Sequence, residues 1–225
     1  MSEVERTGLQ VLPFYIVCDE SASMDANGGL AEVNKGLPEL HAAIASDPLV
    51  SDKCRVAVIA FSDTAEVLMP LSKMNEISDM PAMESRGMTL YSSAFKLLKS
   101  QIEKDVAQLK ADGFQVHRPA VFFISDGEPT ETDWETSYRE LTEPSNPLHP
   151  NVVSFGVAGA TAATIGKVGT VQAFLAEQNV DPGKALKEIL RSLTNSIVSS
   201  SSSSEPALVV PPPPPGTVVV PLQTV

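Results

Sequence analysis

Unbroken apolar runs of strand length alternate along this 225-residue chain with segments of helical periodicity, and that alternation restricts the fold more than any other feature. Pro13–Phe14–Tyr15–Ile16–Val17–Cys18 has no polar position, as suits a strand covered on both faces. Arg55 to Phe61, Ala120 to Ile124 and Val152 to Val157 repeat the pattern. Leu30, Val33, Leu37, Leu40 and Ile44 recur at helical spacing, and a second helix fits Ser92 to Leu109 with Leu98, Ile102 and Val106 on one face. Trp134 to Leu141 and Ala162 to Lys167 predict short helices, and Val171 to Leu175 a sixth strand. Asp181 is placed to cap a last helix with Pro182 at its first position and Leu186, Ile189, Leu190 and Leu193 as its apolar face. Only Ser62–Asp63–Thr64 separates the second strand from Ala65 to Leu71, the spacing of a hairpin. The expected fold class is α/β: a doubly wound (Rossmann-like), mostly parallel six-stranded sheet with one antiparallel edge strand and helices on both faces.

The pattern stops near Ser199. From there to Val225 the only charged side chain is Glu205, and the segment contains the serine run 199–204 and the proline run 211–215. Prolines cannot donate to a helix or a central strand, and polyproline II is their natural local state. One domain over 8–198 and a disordered Ser/Pro/Val-rich tail over 199–225 are expected. A domain of this size buries roughly 70% of its unfolded surface and needs no disulfide or metal staple. Cys18 and Cys54 accordingly read as buried free thiols. The balance of 28 acidic against 16 basic side chains gives a net charge of -12, so phosphate backbones and anionic membranes are repelled, excluding nucleic acid and membrane as partners. The start, Met1 to Arg6, has no leader pattern, and no apolar stretch approaches the ~20 residues of a membrane span, so the expected compartment is the cytoplasm.

Ligands of open α/β sheets bind beyond the carboxyl ends of the strands. Asp19–Glu20–Ser21–Ala22–Ser23 follows the first strand, Ser125–Asp126–Gly127–Glu128 the fourth, and Arg86–Gly87–Met88–Thr89 precedes the second helix. Brought to one edge, these loops offer carboxylates and hydroxyls, the hard oxygen donors a divalent cation such as Mg²⁺ prefers. Taken singly, the same residues have blander uses. Asp19 can cap a helix, Ser21 and Ser23 can satisfy backbone donors, and Asp126–Gly127 can be a turn. Glu20 and Glu128 are expected to face solvent at the rim, where either could help attract a cation, and Trp134, Tyr138 and Met88 to pack, although each could line the groove. His41, His117 and His149 are scattered, with no second ligand type nearby.

Asp19–Glu20–Ser21–Ala22–Ser23 reads D-x-S-x-S, which resembles the metal-ion-dependent adhesion site of von Willebrand factor type A domains. Thr89, preceded by Gly87, and Asp126–Gly127 resemble the other two motifs of that site, in the family's order, over most of residues 10–198. Leu12–Pro13–Phe14–Tyr15 and Val33–Asn34–Lys35–Gly36–Leu37 are similar to the bacterial branch found with tellurium-resistance proteins. The resemblance implies a metal set of Asp19, Ser21, Ser23, Thr89 and Asp126. Ser21 and Ser23 would bind directly, Thr89 in at least one conformation, and the two aspartates mostly through water or directly as the state changes. The implied ion is Mg²⁺, with Mn²⁺ or Ca²⁺ as alternatives, and a partner's Asp or Glu would complete its shell. The implied function is a Mg²⁺-dependent protein–protein interaction module, monomeric by itself, in a bacterial stress or tellurium-resistance assembly. The alternative is a metal-dependent phosphohydrolase on a similar sheet. That enzyme would need an aspartate where Ser21 stands, and serine can neither form the aspartyl-phosphate nor protonate a leaving group well. No P-loop or nucleophile elbow occurs either, so binding without catalysis is the expected activity.

Overall fold

A computed structural model of the protein describes residues 9–202 and 207–225; Met1 to Arg6, on which the absence of a leader was judged, lie outside them. Strand β1 (Gln10–Asp19) leads into helices α1 (Ala22–Ala26), α2 (Gly29–Ala45) and α3 (Pro48–Lys53). The hairpin of β2 (Cys54–Phe61) and β3 (Ala65–Ser72) follows, then a 3₁₀ turn at Met74–Glu76 and the long helix α4 (Tyr91–Ala111). The second half runs β4 (Gln115–Val116), β5 (Ala120–Ser125), α5 (Trp134–Thr142), β6 (Asn151–Gly156), α6 (Ala162–Val168), β7 (Gln172–Ala176), α7 (Pro182–Ser202) and β8 (Thr217–Val219).

The sheet order is β3-β2-β1-β5-β6-β7-β8, with β4 a short parallel addition to β1. Neighbours from β2 to β7 are parallel, and β3 forms the expected antiparallel edge. All six expected strands form; β4 and β8 are additional. Alternate residues of β1 point to opposite layers, as the two-residue period of a strand requires. Phe14, Ile16 and Cys18 pack with Val33, Leu37 and Leu40 of α2 and Leu186, Ile189 and Leu193 of α7. Tyr15 and Val17 pack with Phe95, Leu98 and Ile102 of α4 and Trp134 and Tyr138 of α5. Both cysteines are buried and unpaired. The winding reverses between β1 and β5, the neighbours whose carboxyl ends carry Asp19 and Asp126.

The expectation of a disordered tail is corrected. Helix α7 continues through the serine run to Ser202, with the Ser200 and Ser202 hydroxyls donating back to the carbonyls of Ser196 (2.6 Å) and Val198 (2.7 Å). Residues 203–206 of the expected tail lie outside the described residues. Beyond them the chain returns along α7. Ser196 Oγ donates to the Val209 carbonyl, and the Val209 amide donates to Ser200 Oγ (2.8 Å). Pro211 and Pro214 are buried. The chain turns at Gly216 (φ 77°), where the Thr217 amide donates to the Pro214 carbonyl (3.0 Å), and β8 then pairs antiparallel with β7. The physical reason is twofold. A proline run has no internal hydrogen bonds to lose and needs only outside acceptors, donors and apolar cover. The edge of β7, for its part, has backbone groups that must be satisfied. Val220 then closes a small cluster with Ala160, Ile165 and Ala173.

Candidate metal centre

Asp19, at the end of β1, is fully buried, and both of its oxygens are held. The Ser21 amide donates to Oδ1 (2.8 Å) and Ser125 Oγ to Oδ2 (2.7 Å). Ser21 has extended backbone at the start of α1, and that short helix brings Ser23 round beside it, with Ser21 Oγ and Ser23 Oγ 3.0 Å apart. Ser23 Oγ donates across the sheet to Asp126 Oδ1 (2.9 Å), and Asn27 Nδ2 donates to Asp126 Oδ2. Four of the five expected metal residues thus form one oxygen cluster spanning the β1 and β5 loops.

Thr89 sits on the third loop. That loop is pinned at its far end by Asn34, whose side chain exchanges two hydrogen bonds with the Met83 backbone (2.8 and 2.9 Å). Nearer the site, the Arg86 amide donates to the Glu20 carbonyl (2.9 Å) and the Ala22 amide to the Gly87 carbonyl (3.5 Å). The Thr89 carbonyl accepts from the Thr130 amide (2.9 Å), so the loop is tied to both of the others. The Thr89 side chain is buried, but among the described residues no hydrogen bond joins its hydroxyl to Asp19, Ser21, Ser23 or Asp126.

Several supporting residues were not expected from the sequence. Ser125 and Asn27 orient the two carboxylates, and Asn27 Oδ1 also accepts from the Gly29 amide (2.9 Å). Asp63 latches the Thr89 loop through the Met88 amide (2.8 Å). At Gly87 (φ 40°) an added Cβ would lie 2.2 Å from Asp63 Oδ2. Two expectations are corrected. Glu20 is buried, not at a solvated rim; its Oε1 lies 3.8 Å from Arg86 Nε while Oε2 has no partner. Glu128 is exposed, as expected, and accepts from the Thr161 amide (3.0 Å) and the Thr164 hydroxyl. Met88 does not pack but is 57% exposed at the rim. Trp134 and Tyr138 are core residues, as expected.

Burial raises the Asp19 carboxyl from 3.8 to about 6, although the hydrogen bonds from Ser21 and Ser125 oppose the shift. Burial also raises Asp126, against the bonds from Ser23 and Asn27. Two carboxylates held in a dry place at a cost to their charged forms are what a cation would relieve. Among the described residues no group of three His, Cys, Asp or Glu side chains could hold a metal, so any ion here depends on hydroxyls beside those two acids. The donors fit a small hard ion. Oxygens at about 2.0–2.1 Å from an octahedral centre are separated by about 2.9 Å along each edge. The two hydroxyls expected to bind directly, Ser21 and Ser23, stand 3.0 Å apart, which is compatible with that edge, and Asp126 lies one hydrogen bond behind Ser23.

A family profile described as von Willebrand factor type A domain matches residues 14–128, a span that contains all five candidate ligands. Among solved structures, a von Willebrand factor type A protein from Catenulispora acidiphila superposes with a TM-score of 0.62 at 12% identity, over 84% of this chain and 43% of that one. Proximal thread matrix protein 1 from the mussel byssus, in a structure with a zinc-occupied MIDAS motif, gives 0.58 at 14% identity over 84% and 48%. The pilus adhesin SpaC from Lactobacillus rhamnosus GG gives 0.61 at 13% over 84% and 30%. The chain spans less than half the length of each of these structures. No curated protein matches it.

Proposed function

The chain belongs to the von Willebrand factor type A domain family, and from that membership we propose that it is a Mg²⁺-dependent protein-binding module. The observation that carries the proposal is the oxygen cluster in which Ser21 Oγ and Ser23 Oγ stand 3.0 Å apart, Ser23 donates to Asp126, and Asp19 is anchored beside them. Ser21, Ser23 and Thr89 would hold the ion, and Asp19 and Asp126 would supply its counter-charge. A carboxylate from a partner protein's Asp or Glu would complete the shell. The byssal protein's zinc-bearing MIDAS and the adhesin's fold support that reading by likeness. An all-oxygen set favours Mg²⁺ over zinc, which is usually held by imidazole or thiolate. Ser21 occupies the place where a phosphohydrolase needs its second aspartate, which supports binding without catalysis.

The finer placement, in a bacterial stress or tellurium-resistance assembly, belongs to the same proposal and rests on Leu12–Tyr15 and Val33–Leu37. Packing already accounts for much of both segments. The first is strand core, and Gly36 admits Leu190 of α7, whose Cδ1 lies 2.4 Å from where a Cβ would be. Among the described residues no helix is long and apolar enough to cross a membrane.

Calorimetric titration with MgCl₂ tests the reading. The wild-type protein should bind one ion, and Thr89→Ala, which removes one oxygen donor, should weaken that binding about tenfold or more. Absence of Mg²⁺ and Mn²⁺ binding to the wild type overturns the proposal.

A further inference from the structure

Five of the eight large hydrophobic side chains that stand exposed among the described residues lie on the returning segment: Val209, Val210, Val218, Val219 and Leu222. The middle of that segment is the run Pro211 to Pro215, all of its peptide bonds trans. Each of residues 210–214 precedes a proline and is therefore confined to extended or polyproline II backbone. Such a helix has three residues per turn, and the burial follows that period: Pro211 and Pro214 face α7, while Pro212, Pro213 and Pro215 face outward. Pro212 and Pro215, three apart, share one outer ridge. The segment is seated by the α7 hydroxyls, with Ser196 and Ser200 on Val209 and Ser192 Oγ 3.4 Å from the Pro212 carbonyl. The ridge is thus presented in a fixed conformation.

We propose that this ridge is a second docking surface, for a partner protein with an aromatic-lined groove that reads polyproline II. The chemistry excludes other occupants. Prolines have no N–H, so no strand can add along 211–215. No charged side chain occurs from 206 to 225, so neither nucleic acid nor an anionic membrane has anything to grip. A second copy of this chain does not supply the groove. Of its twelve aromatic residues, eleven are buried, and the other, Phe114, is half-buried with the Arg55 guanidinium 5.3 Å from its ring centroid. What remains is flat aromatic surface laid against pyrrolidine rings, on a ligand whose ordering entropy is already lost. The ridge shares no residue with the metal centre, so the proposal is independent of the metal reading.

The test titrates the full chain with two purified probes, an SH3 domain and a WW domain, following the methyl resonances of Val209, Val210 and Val218. At least one probe should bind with a Kd below about 1 mM and perturb those methyls. Pro212→Ala and Pro215→Ala should each weaken it about tenfold with an unchanged melting temperature, because both rings face outward, and Asp19→Asn should leave it unaltered. Binding by neither probe, binding that maps elsewhere, or binding that survives both proline substitutions overturns the proposal. So does concentration-dependent self-association that Val219→Lys abolishes, because a second copy would then cover the surface.

Discussion

Replacing Asp19 by Asn should stabilise the metal-free protein while destroying its affinity for Mg²⁺. The carboxyl is fully buried, and its folded-state value stands at about 6 against an ordinary 3.8. That difference corresponds to about 3 kcal/mol by which the charged form is disfavoured in the fold at neutral pH. Asparagine removes the charge and keeps most of the bonding. Its Oδ1 still accepts from the Ser21 amide, and its Nδ2 can donate to Ser125 Oγ, whose own proton then turns to the Gly127 carbonyl 3.4 Å away. Allowing for imperfect geometry, a gain of about 2 kcal/mol is expected, a rise in melting temperature of roughly 4–8 °C for a chain of this size.

The pH dependence separates this cause from repacking. Because the folded carboxyl binds its proton more tightly than the unfolded one, its contribution to stability is fully present below about 3.8 and is lost as pH rises through about 6. Urea melts of both proteins in EDTA from pH 3.5 to 7.5 should therefore show a difference near zero at the acid end, growing to its full value above 6. At a hundredfold excess over its Kd, Mg²⁺ adds about 2.7 kcal/mol to the wild type and nothing to the variant, so the two should converge in saturating metal. A variant no more stable than wild type at pH 7.5, a difference independent of pH, or an undiminished Mg²⁺ shift would refute the reasoning.

Gly87→Ala puts a Cβ at positive φ and into the Asp63 carboxylate, so it should cost about 1–2 kcal/mol and weaken Mg²⁺ binding in calorimetry as the Met88 latch opens. Asp63→Ala should weaken Mg²⁺ with little loss of stability, and Asp63→Asn, which keeps the acceptor, should restore most of it. Val220→Asp buries a carboxylate among Ala160, Ile165 and Ala173 and should lower the melting temperature by roughly 6–12 °C, for a loss of about 3 kcal/mol, as read by circular dichroism.

The strands were legible because every central one is covered on both faces, so the apolar run itself is the signal; β1 has buried residues at nine successive positions. Helices α1 and α3, of five and six residues, are too short to show a period, and β4 has only two. At the site, chain topology puts the loops after adjacent parallel strands at one edge, and the resemblance of D-x-S-x-S and Asp126–Gly127 to a metal-site motif singled out Asp19, Ser21, Ser23 and Asp126 within them. The residues that hold them were not legible. Ser125 meets Asp19 and Asn27 meets Asp126 across 106 and 99 residues of chain, and a serine or an asparagine in a turn carries no sign of which distant carboxylate it will orient. Glu20 shows the same limit in the other direction. Nothing in D-E-S-A-S distinguishes the carboxylate that is buried against Arg86 from one that is solvated.

The returning segment shows where a sound local inference turns into a wrong global one. That 199–225 cannot form a helix ladder or a central strand throughout is correct for its prolines, and the step from there to disorder assumes that nothing else supplies their contacts. Here α7 supplies them. Serines at 192, 196 and 200 recur every four residues, which on a helix is one face, and that face offers hydroxyls to a strand of chain that has carbonyls but few amides. The serine face of α7 and the returning segment are therefore halves of one interaction. The same pairing leaves the ridge of Pro212 and Pro215 outward, because a three-residue helix laid on a surface can bury only one of its three rows.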